Sequence, residues 1–424
     1  MKKVLYLFFF IFCLNCIFVA NAQTPGENGI NAAHAKVTRE YGDSTSRLLV
    51  STYTFNRLAY REFAKITVGD DAFSKVQRYA SLSIKPEESK FYFSPLIITN
   101  YKDPSSDRLK HIFSIDASGS IGSDNVFRFS DYKTLKVGLS YTYIFNRWNF
   151  LAITQEEAVY RQQLADCIKK KVTASIKDNC NEYLYDGDSS KLASAGNDEF
   201  YSELSDAEEK WADDGGWGAK KIAWLKINLN PASWDHFKYY DSLSPASIIN
   251  LSDTTLFSPS GSIAISGYRI SSDTRFRLYG TISVGATYRN QLSEVGQAQS
   301  WNKYNKINDS IYIAKDNQSI YALSEKIKQK MKPDIGAQVI AMFDFKKNIR
   351  VGLDLSMQYK GLVGNDNNAS LLTTNLGIVF PFLDKDGNTS INVEVFYEAD
   401  SYNKMALDNK NFWGARFSLP INFL

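Results

Sequence analysis

The feature that most constrains the fold is an unbroken alternation of apolar and polar residues over residues 349–360. The apolar positions are Ile349, Val351, Leu353, Leu355, Met357 and Tyr359. A period of two predicts a β-strand, because successive side chains of a strand face opposite sides. The run is about twice the usual strand length of ~5–6 residues and is close to the ~9–11 residues of a tilted membrane-spanning strand. It therefore predicts either a transmembrane strand or an unusually long soluble one.

The chain begins in the manner of an exported protein. Two lysines follow Met1, and an apolar run over residues 4–19 leads to the small residues Ala20-Asn21-Ala22. This order predicts a secretory signal peptide over residues 1–22, with cleavage near Ala22. A lipoprotein signal that uses Cys16 is an alternative, although the residues before this cysteine lack the usual small lead-in. The apolar run is also shorter than the ~20 residues that a membrane helix needs.

Alternating runs recur along most of the remaining chain. They cover residues 113–121, 135–145, 220–229, 262–270, 275–289, 335–345, 371–382, 391–398 and 413–423. Each run has one mainly apolar face and one mainly polar face, and the polar faces together carry charges of both signs. A soluble sandwich buries the apolar faces against a second sheet, whereas a membrane barrel turns them to lipid and its polar faces to the lumen.

Aromatic residues and link lengths favour the membrane barrel. Aromatic residues near the ends of the apolar rows are candidates for the two interface girdles: Phe276, Tyr288, Tyr359, Trp413 and Phe423. The links at 271–273, 346–348 and 384–388 are short, whereas those at 290–334, 361–369 and 400–411 are longer. Short turns on one side and long loops on the other are typical of outer-membrane barrels.

The end of the chain carries a resemblance to a known class of proteins. Phe417, Leu419, Ile421 and Phe423 form an amphipathic final strand. This strand resembles the C-terminal strand of outer-membrane β-barrel proteins of Gram-negative bacteria, Bacteroidota among them, although the class pattern ends on the aromatic residue and Leu424 follows here. The resemblance covers about residues 90–424. It implies location in the outer membrane, contact with outer-membrane lipid, and assembly by the barrel assembly machinery.

We predict an all-β fold, an antiparallel transmembrane β-barrel of about 12 strands (roughly 10–14) with a partly helical insertion. Eleven strands are clear, and the even number in bacterial barrels requires one more, either before Lys90 or within 147–260. The predicted parts are a segment at 23–89, as a plug or a periplasmic piece, a barrel at 90–424, an insertion at 147–218 and a long loop at 290–334. A helix is expected at 320–331, ended by Pro333.

The insertion carries the only two cysteines that follow the signal peptide, Cys167 and Cys180. Two cysteines in an exported chain favour a disulfide, with two free thiols as the alternative. Because the number of strands must be even, the place of the missing strand decides the side of the insertion. A missing strand before Lys90 places the insertion in the periplasm, and one within 147–260 places it outside. Because long loops belong on the outer side, we expect the insertion to be extracellular.

The sequence offers few candidates for catalysis or metal binding. The chain has three histidines, and the nearest candidate pair, His111 with Ser114, is three residues apart on a strand and so faces opposite sides. The run at 384–388 resembles a calcium loop but lacks its later ligands, and it is better read as a turn. We predict no enzyme activity, no metal and no cofactor, and the net charge of +3 gives no reason to expect nucleic acid.

The predicted function rests on the polar faces. Their charged residues are the lumen-lining candidates: Lys136, Arg275, Arg277, Arg350, Asp354, Lys360, Glu394, Glu398 and Arg416. We expect a channel or transporter for small solutes or hydrophobic ligands, with an unknown ligand. The alternatives are a surface barrel whose loops bind a ligand or partner protein and, more remotely, a barrel lipase.

Overall fold

Most of the residues that the computed structural model describes lie in β-strands. It covers residues 27–42, 50–65, 79–84, 88–99, 108–122, 132–145, 165–167, 169, 197–211, 219–241, 251–271, 276–290, 298–308, 311–323, 327–346, 349–363, 369–383, 389–403 and 409–420. Two compact units are present: residues 1–44 with 154–210, and residues 45–153 with 211–424. Over the described ranges, no helix is both long and apolar enough to cross a membrane.

Fifteen strands are described in the larger unit. Their bounds are β1 Tyr79–Ile84, β2 Glu88–Thr99, β3 His111–Gly122, β4 Tyr132–Ile144, β5 Ala219–Asp241, β6 Leu251–Phe257, β7 Ser260–Ser271, β8 Phe276–Asn290, β9 Ala298–Asn308, β10 Ile311–Leu323, β11 Gln329–Lys346, β12 Ile349–Gly361, β13 Ser370–Leu383, β14 Thr389–Asn403 and β15 Lys410–Pro420.

Twelve of these strands close into an antiparallel barrel. The ring runs β1-β2-β3-β4-β5-β7-β8-β11-β12-β13-β14-β15 and returns to β1. The closing pair joins Tyr79 to Pro420 at one end and Ile84 to Ala415 at the other. A closed ring leaves no free edge, which is what a backbone in lipid requires. The predicted twelve-stranded antiparallel barrel is therefore confirmed.

The strand that the sequence left uncounted is β1, which lies before Lys90, so the barrel begins at Tyr79. The links at 272–275, 347–348 and 384–388 lie at one end of the barrel, here called the turn end, and the opposite end is the loop end. Ile144 ends β4 and Ala219 begins β5 at the turn end. The chain therefore leaves the barrel for the insertion, and returns from it, at the turn end and not at the end with the long loops. The side of the membrane on which the insertion lies stays a prediction.

The region predicted as one long loop with a helix is largely β-structure. An antiparallel hairpin of β9 and β10 occupies 298–323, and β11 already begins at Gln329. The helix predicted at 320–331 is therefore wrong, as is the role of Pro333 as its end. Proline is tolerated within β11 because the ladder to β12 stops at Asp334, so on that side Pro333 needs no N–H donor.

The outer face of the barrel is an exposed apolar belt. Phe276 of β8 is the register partner of Phe343, with ring centroids 5.2 Å apart, near the turn end. Tyr288 is the register partner of Met331 near the loop end. Twelve residue steps of about 3.3 Å along β8, tilted by about 40°, span about 30 Å. This height matches the hydrocarbon core of a bilayer, which is about 30 Å thick.

The strand β5 continues past this belt at the loop end. Its last residues pair with β6 on one side, and residues 239–241 pair in parallel with β10 on the other. With β9 beside β10, these strands form a four-stranded outer sheet in the order β6-β5-β10-β9. The outer sheet thus grows from a strand of the barrel wall and belongs to the larger unit.

The smaller unit is helical and combines the N-terminal part of the chain with the insertion. It contains helix α1 (Glu27–Gly42) and a helical piece at 165–167. It also contains helix α3 (Asn197–Trp211) up to residue 210. Val37, Phe200 and Leu204 are buried in it. His34 Nε2 lies 2.6 Å from the Asp166 carboxylate, and Cys167 is disulfide-bonded. The other cysteines of the chain, Cys180 among them, lie outside the described residues.

Candidate functional site: the barrel interior

Helix α2 (Thr52–Lys65) is the element around which the barrel interior is arranged. Ser51 caps it, because its hydroxyl accepts a hydrogen bond from the Thr54 amide at 3.4 Å. Phe55, Leu58 and Ala59 follow at helical spacing and are all buried. A short amphipathic helix of this kind must bury its apolar side against something else.

The partner of α2 is the inner wall near the turn end. The apolar side of α2 shares one buried cluster with side chains from seven strands of the barrel and from the link that precedes β3. The wall members of this cluster are Leu109, Ile112, Ile144, Ile222, Trp224, Tyr268, Tyr279, Ile340, Met342 and Val379. They all lie near the turn ends of their strands. The helix therefore occupies the lumen at this end, within an apolar collar formed by the listed wall side chains.

Polar and aromatic contacts fix the position of α2. The Asn56 side-chain oxygen accepts a hydrogen bond from the Leu109 amide at 2.8 Å, and both residues are buried. The Arg108 guanidinium lies 4.3 Å from the centre of the Phe55 ring, a cation–π distance. These contacts join the helix to the residues that directly precede β3. Both contacts are noncovalent.

The middle of the barrel holds a buried ion pair. Arg416 of β15 donates to the Glu394 carboxylate of β14, and the two residues are 2% and 1% exposed. The Arg416 guanidinium also lies 4.6 Å from the centre of the Phe396 ring. Gly377 and Gly414 are needed beside this group, because a Cβ at either would overlap Glu394 or Phe396. The pair is thus tightly enclosed by the wall itself.

Other polar residues pair across neighbouring strands. Gln338 donates to Asp354 at 2.8 Å, and Asn375 donates to Glu398 at 3.4 Å. Both pairs are buried. Hydrogen-bonded partners are what allow charged groups to stay buried at acceptable cost. The two carboxylates are therefore paired within the wall, whereas the side-chain oxygens of Gln338 and Asn375 are buried without a hydrogen-bond partner among the described residues.

Two further charge groups lie towards the two ends. Near the turn end, Arg277 and Arg350 both donate to the Asp344 carboxylate. Near the loop end, Asp334 accepts from Arg289 at 2.6 Å and from Thr287 at 2.5 Å. Each carboxylate thus ties together neighbouring strands. Polar pairs therefore occur towards both ends of the described interior, and the apolar cluster lies around α2.

The structure locates the predicted lumen candidates on the inward faces wherever it describes them. Six are buried and paired with neighbours: Arg277, Arg350, Asp354, Glu394, Glu398 and Arg416. Lys136 and Lys360 are half-buried, and Arg275 lies outside the described residues. Sequence reasoning missed the partners Gln338, Asp334 and Asp344. The alternation of apolar and polar residues along β11 could have identified them.

The girdle candidates lie on the outer face. Trp413 is 68% exposed, and its ring lies 5.3 Å from that of Tyr397. Tyr359 is exposed, while Phe276 and Tyr288 are half-buried. Phe423 lies outside the described residues. Aromatic side chains on the outer face near the belt edges are typical of membrane interfaces.

The histidine and serine considered for catalysis are separated by the wall. His111 Nδ1 lies 2.8 Å from the Tyr141 hydroxyl on the outer face, whereas Ser114 is buried and bonded to Ser140 on the inner face. The pair cannot work as a nucleophile and its base, because these need direct contact. Within the described residues, no three His, Cys, Asp or Glu side chains are grouped to hold a metal ion.

Comparison with known proteins gives outer-membrane barrels. The outer-membrane channel from Pseudomonas putida is 6% identical over 83% of this chain and 99% of that chain, with a TM-score of 0.36. The β domain of the Bordetella autotransporter BrkA is 6% identical over 81% and 99%, with a TM-score of 0.31. The CymD monoaromatic hydrocarbon channel is 10% identical over 86% and 92%, with a TM-score of 0.29. No family model and no curated protein matches the chain.

Proposed function

We propose that the protein is a gated outer-membrane channel for small polar solutes, in which helix α2 is the gate. The observation that carries this proposal is the position of α2 inside a closed ring of strands, at one end of an otherwise polar interior. A helix that only stabilised the barrel would not need to lie inside the ring of strands, where it stands in the path of a solute. A gate has to lie there, and it has to be removable.

The contacts of α2 suit an element that can leave. Its apolar side chains are held by burial, which has no directional requirement and can be re-formed after displacement. Asn56 supplies a hydrogen bond to a backbone amide, which water can replace. Once α2 has moved, the collar around it is apolar and narrow, and such constrictions also control passage by dewetting. The proposal therefore predicts a closed resting state with rare openings.

The walls beyond the collar favour a polar solute. The buried pairs Arg416 with Glu394 and Gln338 with Asp354 line the middle of the path. An apolar ligand would have to cover these groups without replacing their hydrogen bonds, which is costly. A small polar solute can exchange hydrogen bonds with them. The charges of both signs on the wall favour neutral or zwitterionic solutes over strongly charged ones.

Single-channel recording in a planar bilayer tests the gate. Phe55→Ala with Leu58→Ala removes two buried side chains of α2, each of which weakens docking by at least about 2 kcal/mol, or about thirtyfold. We expect the wild type to be closed for most of the recording and the double variant to conduct for a large fraction of it. Swelling of liposomes in a small sugar measures solute flux in parallel.

The matched control removes the same side-chain types from the outer face. Phe380→Ala with Leu353→Ala changes two exposed, lipid-facing residues and leaves the lumen untouched. We expect its conductance to equal that of the wild type. If the α2 variant folds into the barrel but neither conducts nor passes solute, α2 is a permanent plug and the gated-channel proposal fails.

A second candidate is a surface receptor. The outer sheet of β6, β5, β10 and β9 extends past the membrane belt, which a simple channel does not require. Its position at the loop end suits binding of a ligand or partner protein. Absence of conductance in every α2 variant, together with unchanged barrel folding, would favour this candidate over the channel.

The proposed location needs export and assembly. We propose cleavage of the signal peptide near Ala22 and delivery of the mature chain to the barrel assembly machinery through the final strand. N-terminal sequencing of the protein from purified outer membranes tests the first step. A mature protein that begins at Gln23 supports it, and a retained N-terminus or a lipid-modified Cys16 contradicts it.

A further inference from the structure

The outer wall of the barrel carries a groove that the channel proposal does not use. It lies between β5, β7 and β8, near the turn end, and has a volume of about 480 Å³. Its lining is almost entirely apolar and includes Ala223, Gly267, Gly280, Leu278 and Val339. This groove faces the lipid side of the wall, since Leu278 and Val339 belong to the exposed apolar belt.

Small residues form the floor of the groove. Ala223 is the register partner of Gly267, which in turn is the register partner of Gly280. A Cβ at Gly267 would meet no heavy atom within 4 Å, and one at Gly280 would meet only the Gln338 carbonyl oxygen at 4.0 Å. The packing of the chain itself therefore leaves room for larger side chains here. The space is left to a molecule outside the chain.

Two positive charges stand at the turn-end edge of the groove. Lys221 and Arg269 are exposed register partners on β5 and β7, and both line the cavity. Like charges directly opposite each other destabilise a strand pair. An anion between the two side chains would convert this repulsion into attraction. The edge is thus built for a negatively charged group.

The depth of these cations corresponds to the headgroup region. Arg269 is the register partner of Leu278, which lies two residues inward from the interface residue Phe276. Long basic side chains at this depth extend towards the headgroups while their stems remain along apolar surface. An acyl chain beginning at the same headgroup would run directly into the groove.

We infer that this groove binds an anionic phospholipid of the leaflet at the turn end. Lys221 and Arg269 hold its phosphate, and an acyl chain lies over Ala223, Gly267 and Gly280. Charge complementarity with the paired cations and the apolar lining of a lipid-facing cavity identify this occupant over a second copy of the chain. The site is independent of whether the barrel conducts.

Native mass spectrometry of the folded protein in detergent tests the site with defined probes. Phosphatidylglycerol and phosphatidylcholine with identical acyl chains are added in turn, and the retained lipid is counted. The wild type should retain one phosphatidylglycerol in preference to phosphatidylcholine. Lys221→Gln with Arg269→Gln should lower phosphatidylglycerol affinity about thirtyfold, since each cation near an anionic lipid contributes about fivefold. Glycerol phosphate, as a free headgroup, should not compete.

Two controls keep the result decisive. Lys330→Gln with Lys410→Gln removes the same charge from exposed residues away from the groove and should leave retention unchanged. Gly267→Leu places a side chain in the groove at a position where its Cβ meets no heavy atom within 4 Å, and it should reduce retention of both lipids. Heat-modifiable gel migration confirms that each variant folds. Equal retention of both lipids by the wild type, or a dimer that Gly267→Leu dissociates, would overturn the proposal.

Discussion

The outer belt makes a quantitative prediction for one residue at its centre. Leu355 is the middle residue of β12, and its register partners are Val339 and Leu376. The three side chains are 48%, 46% and 54% exposed and form a continuous apolar row. Arginine at the midplane of a lipid-facing strand costs about 2–4 kcal/mol. Leu355→Arg should therefore lower the free energy of unfolding by about that amount.

Urea titration of the protein folded into lipid vesicles measures this change, with the folded fraction read from gel migration without heating. Ser401→Arg is the matched control, because Ser401 is exposed on the outward face of β14 near the loop end. Near the interface the same substitution costs at most about 1 kcal/mol. Equal losses at the two positions would refute the assignment of this face to lipid.

Three further predictions concern the interior and the outer sheet. Arg416→Leu leaves the Glu394 carboxylate buried without its partner and should cost about 3–5 kcal/mol in a urea titration, whereas adding Glu394→Gln should recover most of the loss. Gly377→Ala should cost about 1–3 kcal/mol because its Cβ overlaps Glu394, while Gly267→Ala should change stability by less than about 0.5 kcal/mol. Replacing residues 298–323 with a short flexible link should leave heat-modifiable migration unchanged. The reason is that, among the described strands, this hairpin pairs only with residues 239–241. Loss of the folded band would contradict this prediction.

The barrel could be predicted from the sequence because its signal is repeated. Each long strand carries the same period of two, as in residues 349–360, and the outward apolar rows coincide with the exposed belt. Strand β1 was harder to assign, since six residues give only three alternations. Pro95 is unfavourable inside a strand, yet β2 accommodates it at a register shift between Phe93 and Leu96.

The interior could be predicted only in part, for a physical reason. Alternation identifies which side chains face inward, but it does not say which strand stands beside which. The partners of Arg277 and Arg350 depend on the pairing of β8, β11 and β12. The position of α2 depends on the whole ring, because its collar is assembled from strands far apart in the chain. The helical spacing of Phe55, Leu58 and Ala59 indicates an amphipathic helix but does not identify the surface that buries it.

The gate can be tested most directly by tethering α2 to the wall. Asn56 and Leu109 are in hydrogen-bond contact, so cysteines at both positions can be joined by a short reducible bifunctional thiol reagent. This pair is placed in the conducting Phe55→Ala and Leu58→Ala protein, with the single Asn56→Cys variant as the control for the reagent and the reductant. We predict that conductance stops when the helix is tethered and returns when the tether is reduced. Equal conductance in the tethered and reduced forms would contradict the assignment of α2 as the gate.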